Sequence, residues 1–482
     1  MRPWQDYSTA VIAVAVTVML YAVAGAEIRM WPVAIMAPLP ILAAAPEMSD
    51  WFVARCAFAA YFLGNMAVWP AESFAVPLWE LVLLHAAGAA MFALLVILHS
   101  EAARRFIGAL AALVYPILTA AAWHGIAAIS PHGTWGEPAY WLSSFLPVMQ
   151  TTAVTGLAGV TFLMAWVPAG LAVAWYRRRW RMRWMAVAIV PLGAFAIVSA
   201  LGGLRLTGKD SGAAIQVGMA ATDRMLGAAD AIEAADAAPV LAIYAPMVQK
   251  LAGAGAQVIV LPEKLAGVRP KYENEVISGF AQMAAMNHVW LIAGLNQLEP
   301  APKRNLALVI SPSGELVARY FKHHPVPGLE RGYAPGTDLT IFDLPQGKAA
   351  VAICKDLDFP ALGRRIANAG ARFLLVPAWD WPGSEEIHAR MATTLGIESG
   401  LSIARAARQG LVTVSDARGR ILARESTFEK DPAAIVFAMP PGSGATFFAR
   451  HGDWFGNLML LLAAAMIALV ALSVRHAPRN RQ

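Results

Sequence analysis

The apolar positions of the chain fall into two regimes. Up to residue 205 they form long, nearly unbroken runs, and from 206 to about 450 they form short runs of strand character between amphipathic stretches. A helix needs about 20 mostly apolar residues to cross a bilayer core. That length predicts seven transmembrane helices near Ser8–Ala26, Met30–Ala45, Trp51–Trp69, Ala75–Leu98, Ile107–Ile129, Thr155–Tyr176 and Trp184–Gly203, and an eighth at Phe455–Val474. The second run is short and rich in proline. Ala24-Gly25-Ala26 also fits a small-residue cleavage site, so the first run reads either as a span or as a signal peptide. The chain thus divides into a membrane domain over 1–205, an α/β domain over 206–450, and a last span with its tail over 451–482.

Within the α/β domain, Ala213–Ala221, Gln257–Leu261, Val289–Gln297, Asn305–Ser311, Leu339–Leu344, Ala349–Ile353, Phe373–Val376 and Leu411–Val414 have the length and apolar content of buried strands. Helical periodicity covers Val240–Ala252, Lys271–Met286, Leu362–Ala369 and His388–Arg408. Strands alternating with helices predict two sheets covered by helices in a layered α/β fold.

Composition sharpens this picture. Hydrophobic residues make up 58% and charged residues 15%, against about 25% charged in soluble chains, which excludes both an ordinary soluble protein and a disordered one. Two cysteines, Cys56 and Cys354, exclude a disulfide scaffold and a Cys-rich metal site. The net charge of +6 invites a nucleic-acid reading, but the arginines sit where topology needs them. Arg2, Arg104, Arg105, Arg177, Arg178, Arg179, Arg181, Arg183, Arg475, Arg479 and Arg481 all fall on one side of the predicted spans, and only Arg29 lies in a short loop on the other. The positive-inside rule then places both termini in the cytoplasm and the α/β domain outside it. Glu80 and His85 lie within the fourth predicted span, as an interfacial carboxylate or as functional intramembrane groups.

Several motifs fail on chemistry. Gly203 to Lys209 follows most of a P-loop, but Asp210 stands where a Mg²⁺-binding hydroxyl belongs. His323 and His324 are adjacent, a poor chelating arrangement, and no metal site is expected. The positive signal is Cys354, the one cysteine of the α/β domain, at the end of the run Val351-Ala352-Ile353 and followed by Lys355. A thiol at a strand-to-helix turn beside a lysine is a nucleophile candidate, and a buried structural cysteine is the alternative. Glu263 ends the run Val258–Leu261 after Pro262, and Lys322 and Glu330 share the polar segment Tyr320–Glu330.

The order Glu263, Lys322, Cys354 resembles the catalytic triad of the nitrilase, or carbon–nitrogen hydrolase, superfamily. Together with the predicted spans it is similar to the superfamily's membrane-embedded branch, the apolipoprotein N-acyltransferases. The resemblance implies an αββα sandwich and an acyl transfer without cofactor. A phospholipid donates a fatty acyl chain to Cys354, and the thioester passes it to the amino group of a diacylglyceryl-cysteine lipoprotein. It further implies that Glu263 is the base, that Lys322 stabilises the oxyanion, and that Glu330 and Asp356 support them. The location implied is the bacterial inner membrane, with the catalytic domain in the periplasm. Trp379 and Trp381 are expected to form a lid, with Trp135 and Trp141 in an aromatic loop at headgroup level. Lys355 stands where the family has an aromatic residue, and Ala406-Ala407-Arg408-Gln409-Gly410 lacks the family's asparagines. A tethered amidase or nitrilase using water as acceptor is the alternative.

Overall fold

The computed structural model describes residues 3–26, 30–67, 78–178, 184–208, 212–227 and 237–475. Arg2, Arg29, Trp69, Arg179, Arg181, Arg183, Lys209, Asp210, Arg479 and Arg481 lie outside the described residues. The chain forms two compact units. One is helical and comprises Met1–Ser130, Gly136–Leu206 and Asp453–Gln482, and the other is an α/β unit of Pro131–Trp135 and Thr207–Gly452.

In the helical unit, six helices among the described residues are long and apolar enough to cross a membrane: Tyr7–Gly25, Leu78–Arg105, Gly108–Ile129, Leu157–Arg177, Trp184–Thr207 and Trp454–Arg475. Asp50–Met66 adds a helix of 17 residues. The second predicted span is not a continuous helix. It breaks into Trp31–Met36, Leu39–Ala44 and a 3₁₀ turn over Ala45–Glu47. The prolines mark the pieces: Pro32, Pro40 and Pro46 each sit in a first turn, where a missing N–H is tolerated, and Pro38 falls in the break between the two helices.

This broken segment still carries the chain from one end of the bundle to the other. Tyr7 packs against Phe52 at 5.4 Å, and Tyr21 packs against Tyr61 at 5.3 Å, so Pro3–Ala26 and Asp50–Met66 run parallel. The chain between them must therefore return. Its start, Trp31, stacks on Phe145 at 4.3 Å, whereas its end is held by Arg104, which donates to Pro46 O at 3.2 Å and pairs with Asp50 at 2.8 Å. Counting this return gives seven traverses before Thr207 among the described residues. Arg205 donates to the Gln150 side chain at 2.9 Å and Trp454 to Val154 O at 2.7 Å, both at the end opposite Arg104. The last helix then runs back, and Arg105 reaches Ser473 O at 3.2 Å.

The α/β unit has strands β1 (Ile215–Ala221), β2 (Val258–Val260), β3 (Gly267–Val268), β4 (Trp290–Gln297), β5 (Arg304–Ile310), β6 (Leu316–Phe321), β7 (Ile341–Leu344), β8 (Gly347–Val351), β9 (Phe373–Trp379), β10 (Ser402–Arg408), β11 (Leu411–Ser415), β12 (Ile421–Ser426) and β13 (Ala433–Met439). One sheet has the order β13-β1-β2-β4-β5-β6, with β3 beside β4, and the other runs β12-β11-β10-β9-β8-β7. β1, β2 and β4 are parallel, as are β8, β9 and β10. Val217, Met219, Val258 and Ile292 of the first sheet share a core with Val351, Phe373, Leu375 and Ala404 of the second. Helices Ala237–Gly253 and Pro270–Asn287 cover the first sheet. Pro360–Asn368 and Glu385–Ser399 cover the second. The result is an αββα sandwich whose central strands are apolar because both their faces are buried.

One expectation is corrected here. His388–Arg408 is not a single helix but the helix Glu385–Ser399 followed by the fully buried strand β10. The break is Gly400, at φ +76°, which caps the helix in the left-handed region. A Cβ at Gly400 would collide with the backbone oxygen of Gly444. Gly400→Ala is therefore expected to destabilise the α/β unit by about 2 kcal/mol or more. Thermal unfolding in detergent measures this, and an unchanged Tm would contradict the close packing of the 400 and 444 turns.

Candidate active site

Glu263, Lys322 and Cys354 come from three different strands. Glu263 follows β2 by way of Leu261 and Pro262, Lys322 follows β6 directly, and Cys354 follows β8 after Ala352 and Ile353. β2 and β8 are inner parallel strands, whose carboxyl ends are where open α/β sheets gather ligands. The Glu263 N–H donates to Ala378 O of β9 at 3.3 Å, so the carboxylate's backbone is tied across to the second sheet. All three side chains are at least nine-tenths buried.

Lys322 sits between two carboxylates, with Nζ 2.8 Å from Glu263 Oε1 and 3.0 Å from Glu330 Oε2. Lys264 approaches Glu330 Oε1 at 2.6 Å. Asn305 Nδ2 donates to both Glu263 at 2.5 Å and Glu330 at 2.8 Å, and the Val326 N–H donates to Glu330 at 2.6 Å. Two ammonium groups thus face two carboxylates, and the cluster is formally neutral. Burial by itself would lower the Lys322 pKa, but Glu263 and Glu330 outweigh it and hold the ammonium charged, with its pKa well above the usual value. Burial likewise pushes Glu330 up, and Lys322 and Lys264 reverse this, bringing its carboxyl down to about 2. Asn305 and Lys264 are invisible as site residues in the sequence, because a residue opening a predicted strand and a lysine after Glu263 carry no mark of the distant groups they meet.

Cys354 adopts φ +43°, in the left-handed region that a side chain rarely occupies. It opens a five-residue 3₁₀ turn, Cys354–Asp358, and its Sγ points to Trp379 O at 3.4 Å. The sequence suggested that Lys355 would favour the thiolate. Instead Lys355 Nζ turns to Asp358 at 3.0 Å. Burial, with Glu263 adding to it, pushes the thiol pKa up, and the Lys322 charge opposes this only in part. At rest the sulfur is therefore a thiol that needs a base to become a nucleophile.

Asp356 fixes the turn against the lysine segment. It accepts from Tyr320 Oη at 2.7 Å, Ile353 N at 3.0 Å, His323 N at 3.1 Å and His324 N at 2.9 Å, and His324 Nδ1 lies 3.0 Å from it. One buried carboxylate thus ties the backbone before Cys354 to the backbone after Lys322.

The four tryptophans divide. Trp379 is the last residue of β9, with its ring 3.8 Å from the Arg408 guanidinium and its Nε1 donating to Gln409 at 2.8 Å. Its backbone carbonyl, not its ring, is the part that meets the sulfur. Trp381 packs on His388 at 5.1 Å, and Trp135 meets the same imidazole at 5.0 Å. Trp141 instead belongs to the helical unit, edge-on to Tyr21 at 5.8 Å. Behind Trp379 lies a buried ion pair that the sequence did not reveal, Arg405 with Asp380, joined through an Nη1–Oδ2 contact of 2.9 Å. Among the described residues no group of three or more His, Cys, Asp or Glu side chains is arranged to hold a metal ion.

The Carbon-nitrogen hydrolase family matches residues 213–439. An apolipoprotein N-acyltransferase of Geobacter metallireducens is 25% identical over 388 residues, covering 74% of this chain and 73% of that protein. Another from Vibrio vulnificus is 28% identical over 245 residues, covering 44% of this chain and only 47% of its own length. Among solved structures, an amidase from Nesterenkonia sp. is 18% identical with a TM-score of 0.42, covering 48% of this chain and 94% of the amidase. The match to the Geobacter protein extends well beyond residues 213–439 into the helical unit, so the chain joins a stretch matched by the carbon–nitrogen hydrolase family to a helical unit and is similar over about three quarters of its length to an apolipoprotein N-acyltransferase.

Proposed function

We propose that the chain transfers a fatty acyl group from a phospholipid to the N-terminal amine of a diacylglyceryl-cysteine lipoprotein, by way of a thioester on Cys354. The observation that carries the chemistry is the Lys322 ammonium, buried between Glu263 and Glu330 on the strand ends that also present the thiol. The breadth of the match to an apolipoprotein N-acyltransferase supports a lipid acceptor over water.

The steps follow from charge. Glu263 takes the thiol proton as sulfur attacks the ester carbonyl. Two of the three Lys322 protons are engaged by Glu263 and Glu330, and the third stabilises the tetrahedral oxyanion together with a backbone N–H near Lys355. Glu263 returns its proton to the departing lysophospholipid oxygen. The acceptor amine then attacks the thioester and passes a proton to Glu263, and the sulfur leaves and is reprotonated. Glu330 keeps Lys322 charged and oriented, and Asp356 holds the turn. Trp379, Trp381 and Trp135 shape the approach to the sulfur and limit water, which protects the thioester from hydrolysis. The arginine asymmetry supports a catalytic unit on the periplasmic side of the bacterial inner membrane, with both termini cytoplasmic.

Incubated with phospholipid, the purified enzyme is expected to carry a hydroxylamine-sensitive acyl group on the Cys354 peptide, absent in Cys354→Ala and reduced at least 100-fold in Glu263→Gln (about the contribution of a general base). Adding a diacylglyceryl lipopeptide should yield its N-acylated form. Release of free fatty acid or ammonia with no lipopeptide product would point to the tethered amidase instead.

Glu330 gives a pH signature. Its lowered carboxyl pKa stabilises the folded state fully above the unfolded value, near about 4.3, and this stability fades as pH falls toward about 2. The Tm gap between wild type and Glu330→Gln should therefore narrow between pH about 5 and about 3. A gap independent of pH would show that Glu330 is not held ionised by the two lysines.

For topology, alkaline phosphatase fused after Arg205 should be active in cells and a fusion at the C-terminal tail inactive. The reverse pattern would remove the enzyme from the compartment this reading requires.

A further inference from the structure

The structure assigns a role to a short segment outside the hydrolase domain: we propose that Gly133-Thr134-Trp135 is a positioning strap that sets the geometry of the Cys354 turn. This rests on the reading of Cys354 as the nucleophile. Pro131–Trp135 lies between two stretches of the helical unit, yet it packs as part of the α/β unit. It also lies outside the 213–439 stretch that carries the hydrolase fold.

Thr134 makes the first attachment. Its backbone N–H and its Oγ1 both donate to Asp358 O, each at 2.9 Å, and the residue is buried. Asp358 closes the turn that Cys354 opens. Carbonyls at the end of a helical turn lack donors within the turn, and a carbonyl has two lone pairs to satisfy. Thr134 supplies both donors. The Asp358 carboxylate meanwhile holds Lys355, the neighbour of Cys354, so the strap grips the residue that braces the turn from inside.

Gly133 makes the close approach possible. It sits at φ +62°, and a Cβ there would overlap Asp358 O and press on the Phe359 ring. No other residue could bring this backbone so near the turn.

Trp135 reaches the other flank of the sulfur. Its ring meets His388, whose Nδ1 lies 2.9 Å from Ser384 O and 3.5 Å from Asp380. Asp380 holds Arg405, and its N–H donates to Arg408 O at 3.0 Å. The Arg408 guanidinium covers Trp379, whose carbonyl accepts from the Cys354 thiol. The strap is thus joined to the nucleophile on two sides. A residue at positive φ persists only where its surroundings over-determine it, and for Cys354 at φ +43° these surroundings include residues outside the hydrolase domain's own sequence.

The test uses the full-length enzyme in phospholipid nanodiscs. Thr134→Val keeps the shape and the backbone bond but removes the hydroxyl donor, Thr134→Ser restores the donor, and Gly133→Ala displaces the strap. The readouts are the single-turnover rate of thioester formation on Cys354, the KM for phospholipid, the Tm, and the rate of iodoacetamide alkylation followed by mass spectrometry of the Cys354 peptide. Thr134→Val should slow thioester formation and shift the alkylation rate by about 5- to 10-fold, the usual weight of one buried hydrogen bond, with KM unchanged. Thr134→Ser should stay within about twofold of wild type, and Gly133→Ala should fall below Thr134→Val. Equal rates in wild type, Thr134→Val and Gly133→Ala would overturn the strap, as would losses that merely track the unfolded fraction and are not restored by serine. If wild type forms no thioester, the reading of Cys354 as acyl carrier fails, while its alkylation in the same variants still decides the strap.

Discussion

The Lys322 ammonium is the group around which the α/β unit is arranged. It is 1% exposed, and a charge so far from water is tolerated only when its surroundings replace the lost hydration. Glu263 and Glu330 do this for Lys322, and Lys264, Asn305 and the Val326 N–H do it for Glu330. Each member satisfies another, so removing one leaves a buried charge unpaired. Neutrality has a chemical consequence as well. Burial pushes the Cys354 thiol pKa up, and with its positive charges already matched the cluster offsets this only in part, so the sulfur rests as a thiol. The second carboxylate completes the balance: Glu330 faces both Lys322 and Lys264, and against the effect of burial Glu263 and Glu330 together hold the Lys322 ammonium charged.

The cluster would be idle without a rigid frame. The sandwich supplies it by ending β2, β6 and β8 close together and tying the two sheets through the Glu263–Ala378 backbone bond. Asp356 then fixes the turn after β8 to the segment after β6, five polar contacts meeting on one carboxylate. The positive φ at Cys354 is the local cost of presenting the sulfur at this corner, and the surrounding bonds hold it there.

The helical unit obeys a different constraint. In lipid each backbone polar group must be satisfied within the protein, and a proline-broken traverse leaves several of them open. Arg104 answers part of this need by donating to the carbonyls of Pro46 and Met48 where the broken segment ends. One arginine thus caps the end of the broken segment and pairs with Asp50 at the start of the next helix.

What the sequence determined by itself were the local properties. Runs such as Trp184–Gly203 and Val258–Leu261 declare their element type because length and apolar content are features of neighbouring residues. The ordered Glu263, Lys322 and Cys354 were legible because Glu263 and Cys354 each end such a run and Lys322 stands in a polar segment between them. Sequence adjacency misled at Lys355, whose side chain packs toward Asp358 and away from the sulfur. It misled again at His388–Arg408, where a fully buried strand carries no alternation to separate it from a helix. Asn305, Lys264, the Asp380–Arg405 pair and Thr134 became visible only in the tertiary structure. Their partners lie far away along the chain, and a hydrogen bond or ion pair between distant residues leaves no mark on the local pattern of either. Chain length and hydrophobicity decide which segments form; long-range contacts decide which atoms meet, and the chemistry belongs to the second.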